Sequence, residues 1–290
     1  MRLPKIYDHF RPGQIFSMDE ARNVLQTTGN TLRKRLSELA ARGYLLPVRQ
    51  GLYRISPIMQ SDFQQSSPFN IACKLTPYCY VGFYTALQFH AGVEPEIQHT
   101  IYTVSPTKFN SFEFEGRYYF WCQGPERHGL ESHRIKKNNV EFDILVTDFE
   151  KSLVDCLKRP AHCPSFDLLI DLCRKIPKAP QLQLILEYAQ QCKVAALFNR
   201  LGFFFEHMAP YWGIDLAFLN QLEVQMSRKT TEWPILPIEA DAPWNQVKFE
   251  IKVNRGGRNR WRVQLTHVRG ENSLEKTLPL ISQKVFHVQA

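Results

Sequence analysis

The amino-acid sequence predicts an α+β chain, with a small helical module closed by a hairpin first and a larger mixed α/β domain behind it. Three observations lead there. At 290 residues the chain exceeds one ordinary domain, so at least two units are expected. The net charge of +8 is uneven: residues 1–55 hold ten Lys and Arg against four Asp and Glu, whereas residues 56–150 hold seven against eleven. Helical periodicity near the start gives way to two short β-type runs, and beyond residue 68 helical and strand patterns mix. A composition of 44% hydrophobic and 22% charged residues supports a buried core and argues against long disorder.

The first element is a short helix carrying Leu3, Ile6, Tyr7 and Phe10, stopped before Pro12-Gly13. In Phe16-Ser-Met-Asp-Glu20, Ser17 is spaced to cap a second helix and Glu20 to close a capping box. Ala21, Val24 and Leu25 supply its apolar stripe, and Gln26-Thr-Thr-Gly29 breaks it. A third helix runs from near Thr28 to Gly43, a good residue just past a helix end. With about 100° per residue, Leu36 and Leu39 fall within about 40° of Leu32, while Asn30, Lys34 and Ser37 turn to the opposite side with Thr31 nearby. Arg33 and Arg35 flank the apolar stripe. After Gly43, Tyr44–Ile55 reads as two short strands meeting at Arg49-Gln50-Gly51.

Three helices followed by a hairpin predict a winged helix-turn-helix over residues 1–56. A basic third helix with short polar residues at its start suits the major groove, where Asn pairs with adenine and Arg or Lys with guanine. Thr28, Asn30, Thr31, Lys34 and Ser37 are the expected base-facing residues. Arg33, Arg35, Arg49, Gln50 and Arg54 are expected to set register on the phosphate backbone. A winged helix used only for protein contacts is the plain alternative, since fold does not fix function.

Residues 57–69 are polar and read as a linker, and residues 70–290 as a mixed α/β domain in which 231–290 form a possible β-rich extension. Tyr80–His90 looks like a strand end entering a helix. Strands are expected at Thr100–Ser105, Tyr118–Trp121 and Val140–Val146. Helices are expected at Phe149–Leu157, Ser165–Arg174, Pro180–Gln190, Cys192–Phe205 and Ile214–Gln225. No apolar stretch approaches the roughly 20 residues of a membrane span, and the first residues carry no signal-peptide pattern. The expected compartment is therefore the cytoplasm, with no membrane partner. Seven cysteines without CxxC pairs fit that compartment as buried free thiols. Cys156, His162 and Cys163 lack the second ligand pair that a thiolate zinc site needs, so no metal and no cofactor are expected.

Four stretches carry a resemblance. They are the winged-helix segment with Gly43-Tyr-Leu and Gly51-Leu-Tyr, Tyr80-Val-Gly-Phe-Tyr-Thr-Ala-Leu-Gln-Phe-His-Ala-Gly92, Val146-Thr-Asp-Phe-Glu-Lys-Ser-Leu-Val-Asp-Cys-Leu-Lys-Arg-Pro160, and Phe198-Asn-Arg-Leu-Gly-Phe203. In order and spacing they resemble the AbiEi family, the antitoxin and transcriptional regulator of type IV toxin–antitoxin systems. The match spans about residues 14–206, and Cys163-Pro164-Ser165 departs from the family's Cys-Gly-Gly. The resemblance implies a repressor of its own operon that counteracts a nucleotidyltransferase-like toxin, functionally if not through a stable complex.

Two groups of acids carry the catalytic alternatives. Asp148, Glu150 and Asp155 cluster where a helix start collects acids for its own dipole. Asp241 with Phe249-Glu250-Ile-Lys252-Val253 is similar to the core of the PD-(D/E)xK nucleases, in which two carboxylates hold Mg²⁺ and Lys helps activate water. Simple strand alternation accounts for the same residues. A metal-dependent DNA nuclease is therefore the alternative function, and no catalytic residue is assigned. From Lys252 to Arg269 six Lys and Arg occur with no acid. A hairpin turning at Gly256-Gly257 would present Arg255, Arg258 and Arg260 as a second DNA contact, or merely as charges that keep an edge strand soluble. His90 and His99 read as packed or surface histidines.

Overall fold

A computed structural model of the protein describes residues 4–57, 66–96, 99–124, 128–137, 140–229, 231–235 and 260–267. It is a mixed α/β chain in two compact units, residues 1–81 with 95–146 and residues 82–94 with 147–290. The division departs from the expected one. The N-terminal segment shares its unit with a large sheet, and residues 82–94 belong to the second unit. The far end of the expected linker is not one either: Ser66, Ser67, Pro68 and Phe69 are buried. Its residues 58–65 lie outside the described residues.

The first unit opens with a 3-10 turn, Lys5–Asp8, in place of the expected helix. β1 (Ile15–Ser17) follows, then α1 (Met18–Leu25) and α2 (Gly29–Ala41). The capping box forms as read: Glu20 N donates to Ser17 Oγ at 3.2 Å and Ser17 N to Glu20 Oε2 at 2.7 Å, worth about 1 kcal/mol. β2 (Leu45–Arg49) and β3 (Leu52–Ile55) form the hairpin, and β1 adds antiparallel to the far side of β3. Pro47 has no N–H to give a ladder, and it stands beside a register shift on the outer strand of this sheet. Ile6, Phe10, Phe16, Ala21, Leu32, Leu36, Leu45 and Ile55 fill the core under the two helices.

The same unit continues with α3 (Pro68–Cys73), β4 (Tyr80–Val81), β5 (Thr100–Ser105), β6 (Phe112–Phe114), β7 (Arg117–Gln123), β8 (Leu130–Lys137) and β9 (Val140–Thr147). The six strands lie in the order β6-β7-β5-β4-β9-β8. β5 pairs parallel with β7 and antiparallel with β4, and β4 pairs parallel with β9. Every residue of β5 is buried, as suits an inner strand. β6 and β7 are joined by Glu115-Gly116, both at positive φ (49° and 72°), the backbone that a two-residue hairpin of matching twist requires.

The second unit is helical: α4 (Phe83–His90), α5 (Phe149–Lys158), α6 (Phe166–Lys175), α7 (Leu182–Cys192), α8 (Ala195–Trp212) and α9 (Leu216–Gln225). β10 (Thr231–Ile235) and β11 (Val263–His267) pair parallel beside them. α5 is central and almost wholly buried, packed by α4, α7 and α8. Asp148 caps it, accepting from Lys151 N at 2.6 Å and from the Tyr188 hydroxyl at 2.7 Å. Glu150 accepts from Gln181 N at 2.8 Å, and Lys151 pairs with Asp155 at 2.5 Å. Asp148 and Glu150 thus stand at the helix start, as the dipole argument expects, whereas Asp155 pairs one turn on along the helix.

The Asn199-Arg-Leu-Gly202 stretch is a fastening point. Asn199 Nδ2 donates to the carbonyls of Ser227 (3.1 Å) and Trp261 (2.8 Å), while its Oδ1 accepts from Ser227 N (2.8 Å). Arg200 donates to the last carbonyls of α5, Leu157 O and Lys158 O, at 3.1 and 3.3 Å. Gly202 leaves the space that the buried Trp261 ring occupies.

Candidate nucleic-acid interface

The site is built on α2. Leu32 and Leu36 are buried, and their spacing turns the remaining residues outward. Thr28, Asn30, Thr31, Arg33, Lys34, Arg35 and Ser37 are all exposed. The connection into the helix is short. Gln26 ends α1 in the left-handed region, and Thr28, extended, precedes Gly29 without spending its hydroxyl on a cap bond. Thr27 Oγ1 donates to Leu25 O and accepts from Arg35 Nη1, each at 2.9 Å. Arg35 is thereby held back along its own helix toward the turn. Arg22 and Arg42 are further exposed cations on α1 and at the end of α2. Arg22 pairs with Asp19 at 2.9 Å across nearly open water, a weak tie that another anion could replace.

The hairpin behaves differently from the expectation. Gln50 is exposed at the tip, beside Gly51 at φ 81°. Arg54 is 2% exposed and faces inward: its Nη1 forms an ion pair with Glu115 of the β6–β7 turn and donates to Ser66 Oγ at 3.2 Å. The second Glu115 oxygen accepts from Ser66 N at 3.0 Å. Arg49 lies half-buried with its guanidinium over the rings of Phe109 and Phe112, 5.2 and 5.7 Å from their centroids. The assignment of Arg54 to a phosphate backbone is therefore corrected, because alternation along β3 turns this cation toward the sheet of the same unit, and Arg49 lies on the same side of the hairpin. Lys74 completes this seam, donating to Ile15 O at 3.0 Å and to Glu20 Oε1 at 2.8 Å. Burial acts to raise the Glu20 carboxyl, but hydrogen bonds from Lys74 and Ser17 outweigh it and hold it below its usual value.

Nothing in the sequence pattern marks Glu115, Ser66 or Lys74 as partners of the hairpin. The one local signal is Glu115-Gly116, a turn dipeptide between aromatic runs.

Of the expected second basic contact, Arg255 and Arg258 lie outside the described residues, as does the Gly256-Gly257 turn. Arg260 is engaged: its Nη2 donates to Glu223 Oε2 at 2.8 Å and Asn220 Oδ1 at 3.1 Å, and its guanidinium lies 4.6 Å from the Trp261 ring centroid. It is corrected from a hairpin-tip contact to a side chain tied to α9. Asp241, Glu250 and Lys252 lie outside the described residues. Among the described residues, no group of three His, Cys, Asp or Glu is placed to hold a metal ion, and no helix is long and apolar enough to cross a membrane. His90, read as packed or surface, makes a 2.7 Å hydrogen bond to Thr147 O. Burial, with Arg117 nearby, lowers the His99 imidazole pKa despite Glu96.

No family model matches the chain, and no curated protein sequence is similar to it. Among solved structures it is similar to the crystal structure of the RV2827C protein from Mycobacterium tuberculosis, with a TM-score of 0.53 and 13% identity over 80% of this chain and 86% of that one. What is shared is the fold.

Proposed function

We propose that the N-terminal segment is a winged helix-turn-helix, that α2 is its recognition helix, and that the protein is a sequence-specific DNA-binding repressor. The observation that carries this reading is the exposed face of α2. Asn30, Thr31, Lys34 and Ser37 stand out from a helix whose Leu32 and Leu36 are buried, with Arg33 and Arg35 on the flanks. Short polar groups and cations on one helix face supply the donors and acceptors that base edges present in the major groove. The topology supports it as well, with a helix pair connected by a short turn and followed by an antiparallel hairpin. The concentration of positive charge in residues 1–55 supplies the sequence-independent attraction to a polyanion.

The sequence resemblance to AbiEi regulators extends the proposal. The operator is that of the protein's own operon, and the chain is the antitoxin opposing a nucleotidyltransferase-like toxin in the cytoplasm. Fluorescence anisotropy on the DNA upstream of its own reading frame, against scrambled DNA across a salt series, tests the first part. Selective binding that weakens steeply with salt and drops in Lys34→Ala is expected. Equal weak binding to both DNAs sinks the repressor reading and leaves the winged helix as a protein-contact module. Co-expression with the neighbouring gene tests the second part: the antitoxin reading requires this chain to restore growth.

A further inference from the structure

We infer that the wing of this protein is a positioning element rather than a DNA contact, so that recognition is confined to one major groove read through α2. The inference rests on the DNA-binding reading and deepens it. The hairpin Leu45–Ile55 has two cations, and both are engaged within their own unit. Arg54 is buried in its pair with Glu115 and Ser66, and Arg49 covers the rings of Phe109 and Phe112. For Arg54 to reach a phosphate, Glu115 would have to be left behind as a buried carboxylate without its cation, an arrangement strongly disfavoured in a dry site. The turn that presents Glu115 is built for the purpose. A residue with a side chain holds φ 49° there, and both carboxylate oxygens are used, one by Arg54 and one by Ser66 N.

The remaining polar wing residue, Gln50, carries no charge and cannot release a counterion. Outside the hairpin the segment carries exposed cations at Arg22 on α1, at Arg33, Lys34 and Arg35 on α2, at Arg42 just past its end, and at Lys5 and Arg11 before β1. Lys74, tied to Ile15 O and to the capping-box Glu20, fastens the opposite edge of the small sheet to the same framework. Arg49, Arg54, Glu115 and Lys74 are thus positioning residues. They set where α2 stands on its unit, and the minor groove is left unread by the wing.

The salt dependence of affinity separates this from a conventional wing contact, because each phosphate neutralised contributes about 0.9 to the slope of log K against log salt. The proteins to compare are the wild type, Lys34→Ala, Arg49→Gln, and the paired change Arg54→Met with Glu115→Gln, which removes both charges together and spares the fold an orphaned ion. A melting curve of each shows how much stability was lost. The expected result is an unchanged slope for Arg49→Gln and for the paired variant, a lower melting temperature for Arg49→Gln, and a slope reduced by about one in Lys34→Ala. A slope reduced by about one in Arg49→Gln or in the paired variant overturns the inference. A wild type that shows no preference for its own DNA overturns the DNA-binding reading itself, a separate result visible before any variant is made.

Discussion

A β-carbon placed on Gly202 would stand 1.9 Å from Cε3 of Trp261, well inside any real contact. The indole is fully buried and donates to Glu206 Oε2 at 3.0 Å, so it has little room to yield. Gly202→Ala is expected to destabilise the second unit by about 1–3 kcal/mol through overpacking, and Trp261→Ala by about 3–5 kcal/mol. The double variant should cost clearly less than the sum, since the alanine then meets open space. A denaturant-melt cycle measures this, and simple additivity would show that the two do not touch. His162 carries a second prediction at this scale. Burial, with Arg159 beside it, pushes its imidazole down to about 4, and its ring stands edge-on to Phe83 at 4.7 Å. Its folded pKa lies below the ordinary value near 6.5. The unfolded chain therefore takes up the proton first as pH falls. Its contribution to stability is full above about pH 6.5 and is lost as pH drops toward about 4. Thermal melts at pH 7 and 5 should show a smaller loss in His162→Gln than in the wild type. Some loss persists in that variant, because burial also pushes His99 down.

Among the elements, α5 shows most directly how local sequence and tertiary packing agree. Asp148 is both its N-cap and the acceptor for Tyr188 of α7, so one carboxylate serves the helix start and the helix pair. Asp148→Ala should cost about 1–2 kcal/mol for the cap, plus the Tyr188 hydroxyl left without this acceptor. Asp148→Asn should recover part of the cap, as read by chemical denaturation. The element map was largely legible in the sequence where periodicity or capping was strong. β5 falls on Thr100–Ser105 as read, and α5 ends one residue from its expected limit because Pro160 stops it. β8 is not legible because Leu130–Lys137 is an outer strand with only weak apolar alternation, and its exposed charges look like a loop. β1 and α3 are too short to announce themselves. The sequence reading ends α8 at Phe205, yet it runs to Trp212 through Pro210. Trp212 packs against Phe149, Phe204 and Phe205, and that packing outweighs the proline in the last turn. The outward face of α2 was legible because Leu32 and Leu36 fix the wheel. The fate of Arg54 was not, because its partner Glu115 is 61 residues away.

At the scale of the whole molecule, the two units are not consecutive lengths of chain. The segment 82–94, with α4, leaves the first unit to pack against α5 in the second, and the chain then returns for β5 to β9. The N-terminal 57 residues are likewise no free-standing module. A fragment of residues 1–57 loses Glu115 from Arg54, Lys74 from Glu20, and the rings beneath Arg49. It should melt well below the full-length chain, as circular dichroism would show, and equal melting temperatures would refute the shared framework. The cysteines have a consequence of another kind. None of the seven is in a disulfide; five are buried, and burial pushes up the Cys79 thiol and, to about 12, that of the partly exposed Cys73. Thiolate, not thiol, is what reacts with an alkylating agent. The five buried thiols of the folded chain are therefore closed to such a reagent, and a single opened molecule presents all seven sulfurs, so the added mass counted per molecule reads out each unfolding event as it happens.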